Sequence, residues 1–202
     1  MKQADIKILD GYKLGIIPAE HHFAHTLCFF LHDLILQTLE EGEKAGIFNI
    51  KVDADNEKIY ELEGKSGEEL ISWLEKNGHE SEVYVLFYKQ VFQAMISDFC
   101  HFTYEALDCS TKGKLSVSYA LLRKPFKEHL TYFEWLLGDP GDFLVKFKAG
   151  DASQLSIDRN PEKQKDVIAK AMNKLSPYWG TPEFLYEIRF DKKSPIGFEG
   201  IY

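Results

Sequence analysis

Apolar residues recur at helical spacing through most of this chain and predict a set of packed helices. A first helix follows Pro18 and runs to Gly42, with apolar side chains three or four residues apart. A second helix begins at Ser66, where Glu69 three residues later completes the sequence of a capping box, and it ends at Gly78.

The centre of the chain carries its longest apolar segment. From Ser81 to Asp108 the residues are apolar nearly all round a helix, which is typical of the central helix of a bundle. After the break STKGK, residues 115–137 predict another long helix, which stops at GDPGD. Pro125 lies inside this helix and removes a backbone hydrogen bond, so we expect a kink there.

The last third of the chain predicts shorter helices and an irregular end. The stretch PGDFLVKF forms one helix, Asp158 or Asn160 caps the next, and Thr181 caps a third over TPEFLYEIRF. Residues 191–202 have no apolar period and predict an irregular tail. Long apolar helices joined by short breaks favour a mainly α helical bundle, in one domain over residues 1–202.

One segment departs from the helical period. Phe48, Ile50 and Val52 alternate with polar residues, and an Asp-Ala-Asp-Asn turn follows. This pattern predicts a small β-hairpin inserted over residues 46–64. An isolated hairpin is marginally stable in water, so it is expected to lean on the helices.

Composition fits one helical domain away from the membrane. The chain has 202 residues, of which 45% are hydrophobic and 14% aromatic. No apolar run reaches the roughly 18 residues that span a bilayer, and the N-terminus has no apolar signal-peptide core. Its cysteines (Cys28, Cys100 and Cys109) are odd in number and widely spaced, which predicts reduced, buried thiols and a cytoplasmic location.

Charge is distributed unevenly along the chain. The net charge of -8 argues against a general nucleic-acid coat, and the sequence carries no DNA-binding motif. Residues 1–110 hold 9 Lys+Arg against 20 Asp+Glu, a net of -11, whereas residues 111–202 hold 15 against 12, a net of +3. The second half is therefore the better place for an anion.

A polar stripe marks the long central helix. Its members follow one another at i, i+3, i+7 and i+10: Asp98, His101, Glu105 and Asp108. Burying an unpaired carboxylate is costly, so the stripe must face water, a pocket or cationic partners, for which Arg123 and Lys127 are candidates. The stripe is either a structural ion-pair network or a binding cleft formed by Asp98, His101, Glu105 and Lys127.

A metal site is an alternative, and a nucleophile has little support. His21 and His25 lie one turn apart on the first helix, and with His101 and Glu105 they could hold zinc or iron. The HExxH sequence and paired Glu-x-x-His motifs are absent, so we expect no cofactor. Gly-x-Ser-x-Gly, phosphate-binding glycine loops and Cys-x-x-Cys are absent as well.

The stretch LLRKPFKEHLTYFEWLL carries Arg123 and His129 as an Arg-x5-His pair, and His129 lies on the core-facing seam of its helix. The pair resembles the Arg-x4-6-His motif of the HEPN superfamily (higher eukaryotes and prokaryotes nucleotide-binding). YALLRKPFKEHLTYFEWLL is similar to uncharacterised bacterial HEPN-like proteins whose motif helix starts with LLR. Six residues place the two side chains about 120° apart on an ideal helix, and a kink at Pro125 would change that angle.

The resemblance implies a helical homodimer, in which the motif helices of two protomers share one cleft. It also implies a metal-independent endoribonuclease or an RNA- or nucleotide-binding module. His129 would assist proton transfer from the RNA 2′-hydroxyl, and Arg123 would hold the phosphate. The alternative from the residues alone is a non-catalytic bundle that binds a protein partner or a small anion.

Overall fold

The computed structural model describes residues 14–53, 60–62, 64–150, 152–155, 160–175 and 180–198. In these ranges the chain is mainly α-helical, as predicted, and contains no strand. None of the helices in these ranges is long and apolar enough to span a membrane.

The N-terminal half holds the two longest helices. In chain order its helices are α1 (His22–Lys44), α2 (Gly67–Lys76) and α3 (Glu80–Thr111). Short 3-10 turns occupy Ala19–His21 and Tyr60–Leu62. The C-terminal half contains α4 (Leu115–Arg123), a π-helical segment (Lys124–His129), α5 (Leu130–Gly138), α6 (Pro140–Lys148), α7 (Ala152–Leu155), α8 (Pro161–Met172) and α9 (Pro182–Phe190).

Predicted capping residues begin three of these helices. The capping box forms at α2, where the Ser66 side chain accepts the Glu69 N–H and the Glu69 carboxylate accepts the Ser66 N–H at 2.8 Å. Asn160 caps α8 and Thr181 caps α9, each through its side-chain oxygen. The other predicted cap of α8, Asp158, lies outside the described residues.

The predicted hairpin is wrong where the chain can be followed. Residues 46–53 contain no strand and Tyr60–Leu62 is a 3-10 turn, while the turn over residues 54–59 lies outside the described residues. Gly46, with φ of 70°, ends α1, and the Ile47 N–H bonds back to the Gly42 carbonyl at 2.9 Å. This Schellman-type ending folds the chain back onto α1 instead of extending it.

Residues 191–198, within the predicted irregular tail, form turns, and residues 199–202 lie outside the described part. The prediction of buried thiols holds for Cys100 alone, because Cys28 is exposed and Cys109 is half-buried. Cys28 lies on α1, which is a peripheral helix with few buried residues.

The core forms where α5 and α6 pack with α3 and α8. Its buried members are Val91, Trp135, Leu136, Phe143, Leu144 and Val167. A smaller cluster of Trp73, Leu74 and Val83 joins α2 to the start of α3. Helix α3 also contacts α1, α4 and the π-helical segment, so it is the central helix that its apolar sequence predicts.

We expect Leu136→Ala to lower the free energy of unfolding by about 2–5 kcal/mol, because Leu136 is 1% exposed and its removal leaves a cavity in the core. Urea unfolding followed by circular dichroism measures the change. Leu175→Ala is the matched control, since Leu175 is 55% exposed. An equal loss in both variants would contradict this assignment of the core.

Candidate functional site

At Pro125, where a kink is predicted, the helix widens into the π-helical segment. Pro125 has no N–H to donate to the preceding turn, and its own carbonyl accepts the Leu130 N–H from five residues on. The proline ring is fully buried. A single π-helical turn within an α-helix often marks a functional site.

Arg189 of α9 binds the π-helical segment and the start of α5 through hydrogen bonds. It is 5% exposed, and its guanidinium donates to the Phe126 carbonyl at 2.9 Å, to the Thr131 hydroxyl at 2.9 Å and to Glu134 at 2.5 Å. This residue was not among the site residues predicted from the sequence. Its one signal is a lone arginine between apolar Ile188 and Phe190.

Glu134 completes this buried ion pair and lines a polar cleft. Burial raises the pKa of its carboxyl group, and the charge and hydrogen bond of Arg189 oppose that shift. Its Oε2 is buried without a hydrogen-bond partner. The cleft has a volume of about 340 Å³ and lies between α5, α6 and α8, where Lys146 and Lys170 form ion pairs with aspartates of the lining.

His129 lies at the end of the π-helical segment and is 5% exposed. Its ring meets the Phe102 ring edge-on, with centroids 6.0 Å apart, and its Nδ1 is buried without a hydrogen-bond partner. Burial lowers the pKa of His129, Lys124 lowers it further, and Asp98 and Glu128 oppose the shift. The imidazole is therefore neutral at pH 7.

Lys124 connects His129 to the polar stripe on α3. Its ammonium lies 4.5 Å from the centroid of the Phe102 ring and 3.5 Å from the Asp98 carboxylate. Arg123 and Lys127 were the predicted partners of the stripe, whereas Lys124 makes this ion pair. The pair joins residues 26 positions apart, and no helical period in the sequence predicts such a contact.

The other predicted site residues lie around this group. Arg123 is exposed at the end of α4, and Lys127 is half-buried. Asp98, His101 and Glu105 are exposed on α3, so the stripe faces solvent there. The fourth member of the stripe, Asp108, pairs with Lys112 on its own helix.

The alternative metal ligands are not brought together. His25 bonds through Nε2 to the Ser110 hydroxyl near the C-terminal end of α3, whereas His101 and Glu105 are exposed on that helix. Within the described ranges, no three histidine, cysteine, aspartate or glutamate side chains are arranged to hold a metal ion. His21, His25, His101 and Glu105 therefore form no metal site as a group.

No family model matches the chain, and neither a curated protein nor a solved structure matches it at a significant level.

We expect His129→Gln to reduce the acid sensitivity of the fold. The pKa of His129 is lowered on folding, so the unfolded state binds more protons below about pH 6.5 and wild-type stability falls as pH falls. Urea unfolding at pH 7.5, 6.5 and 5.5 measures the slope, which should be smaller in the variant. Leu175→Ala, at an exposed position without a titratable group, should keep the wild-type slope. Equal slopes in all three proteins would contradict a buried, neutral His129.

We expect Arg189→Met to lower the free energy of unfolding by roughly 3–5 kcal/mol, because Glu134 and the Phe126 carbonyl lose their buried partner. Chemical unfolding measures the loss. Arg123→Met is the matched control at an exposed arginine of the neighbouring helix, and its effect should be far smaller. Equal effects would mean that Arg189 does not hold the π-helical segment.

Proposed function

We propose that the protein is an HEPN-like module that binds RNA or a nucleotide over the π-helical segment, with Arg123 and His129 as its motif pair. The observation that carries this proposal is the buried imidazole of His129, which packs edge-on against the same Phe102 ring that the Lys124 ammonium contacts. Buried titratable groups with shifted pKa values concentrate at functional sites.

The charges around His129 suit a phosphate. Arg123 is exposed, and the Lys124 side chain is 40% exposed, so both are accessible to a ligand. An arginine fork binds two phosphate oxygens at once, and lysine adds a point charge. Both cations belong to the half of the chain with net charge +3.

Cleavage would need no metal. A neutral His129 can accept the proton of the 2′-hydroxyl while that oxygen bonds to phosphorus, the bond from phosphorus to the 5′-oxygen breaks, and the 5′-oxygen takes up a proton from water. The Lys124–Asp98 pair must first open to admit the substrate. That pair is half-exposed and long at 3.5 Å, so its opening costs only about 0–1 kcal/mol.

A second candidate function is anion binding without cleavage by the same residues. It is favoured by the 5% exposure of His129, which leaves little of the ring open to a substrate. In either case the HEPN resemblance implies a homodimer with the motif helices of both protomers at one cleft.

We expect the wild-type protein to bind single-stranded RNA and to cleave it in excess EDTA. His129→Gln should abolish cleavage and leave binding nearly unchanged, because glutamine fills the site but takes no proton at pH 7. Arg123→Ala should weaken both, since it removes a phosphate ligand. Fluorescence anisotropy measures binding, and gel electrophoresis of labelled RNA measures cleavage.

Lys44→Ala is the charge-matched control, because Lys44 is an exposed cation of α1, on another helix from the motif. It should bind and cleave as the wild type does. Binding without cleavage would favour the anion-binding function. Cleavage that survives His129→Gln would remove His129 from the chemistry, and absence of RNA binding by the wild type would overturn RNA recognition by this segment.

A further inference from the structure

An open apolar groove lies between α1 and the first half of α3, away from the π-helical segment. It encloses about 780 Å³. The residues that line it are almost all apolar, and they include Leu34, Leu39, Ile47, Val85, Tyr88 and Phe92. Among the described residues of the lining Lys89 is the charged one, and its ammonium donates to the Asn49 carbonyl at 2.8 Å.

The apolar surface continues from the groove along α1. Phe23, Leu27, Leu31 and Leu34 follow one another at spacings of four, four and three residues. Their exposed fractions run from 41% to 73%. On a helix these positions fall within about 80° of one another, so they form one continuous stripe. Single exposed apolar residues are common, but a stripe that leads into a groove is typical of a binding surface.

The helix faces that carry the lining residues of the groove also carry acidic side chains. Glu41 of α1 and Glu82 of α3 share helix faces with the lining residues. Helix α1 contains one aspartate and three glutamates against Lys44, a net charge of -3. The first 110 residues have a net charge of -11. A ligand of this groove therefore needs an apolar face with basic flanks.

We propose that the α1–α3 groove binds an amphipathic helix of another protein, one whose apolar face is flanked by lysine and arginine. Helix-in-groove recognition places apolar anchors at helical spacing into such a groove, and opposite charge at the edges fixes their orientation. A second copy of this chain fits less well. Pairing two α1 helices would bring two charges of -3 together at one interface, where like charges repel.

The test uses two labelled probe peptides of about 15 residues, long enough to form a helix on binding. Both carry leucine at helical spacing. One has lysine at the remaining positions and the other has glutamate. We expect the full-length protein to bind the leucine–lysine peptide in fluorescence anisotropy, and to bind the leucine–glutamate peptide at least about tenfold more weakly.

Leu34→Asp places a carboxylate in the groove and should weaken leucine–lysine binding about tenfold or more. Leu36→Asp is the matched control, because Leu36 is exposed to a similar degree on α1 but does not line the groove. Both positions are exposed, so we expect both variants to fold, and circular dichroism checks this. A selective loss in Leu34→Asp supports the proposal.

Three results would overturn it. The first is equal binding of the two peptides, which would mean that charge does not select the partner. The second is an equal loss of binding in both variants, which would place the peptide outside the groove. The third is dimerisation of the wild type, seen by sedimentation and abolished by Leu34→Asp alone, which would make a second copy the occupant.

Discussion

A buried arginine from the end of the chain holds the helix that Pro125 interrupts. Pro125 cannot donate a backbone hydrogen bond, and a π-helical segment forms around it. Arg189, on the separate helix α9, donates hydrogen bonds to the Phe126 carbonyl, the Thr131 hydroxyl and Glu134. Arg189 is 5% exposed, and burying its charge is tolerated because the guanidinium is paired with Glu134 and donates to two further acceptors.

The candidate site depends on this arrangement. The π-helical turn sets where Lys124 and His129 lie relative to α3, and α3 supplies Phe102 and Asp98. The imidazole of His129 is neutral because it is buried and because a lysine lies near it. A buried neutral base beside exposed cations is a combination that phosphate chemistry uses, and the same burial limits access to it.

Helix α3 joins two surfaces of opposite chemical character. Its first half forms an apolar groove with α1 in the acidic half of the chain, and its second half carries the polar stripe that meets Lys124. The apolar residues of α3 thus serve the core on one side and an open surface on the other. A single long helix with apolar residues nearly all round can do both, because its neighbours cover only part of it.

Local patterns in the sequence determined where the helices form. The hydrophobic period, the capping box at Ser66 and the caps at Asn160 and Thr181 each depend on residues a few positions apart, so they can be recognised without the tertiary structure. The alternation of Phe48, Ile50 and Val52 with polar residues predicted a strand that does not form. The Schellman-type ending of α1 at Gly46 outweighs this weak strand signal. The sequence also located Pro125 and the position of His129 on the core-facing side of its helix.

Only the tertiary structure decided that Lys124 pairs with Asp98 and that Arg189 binds the π-helical segment. These contacts join residues 26 and 63 positions apart, and no local period encodes which distant side chains meet.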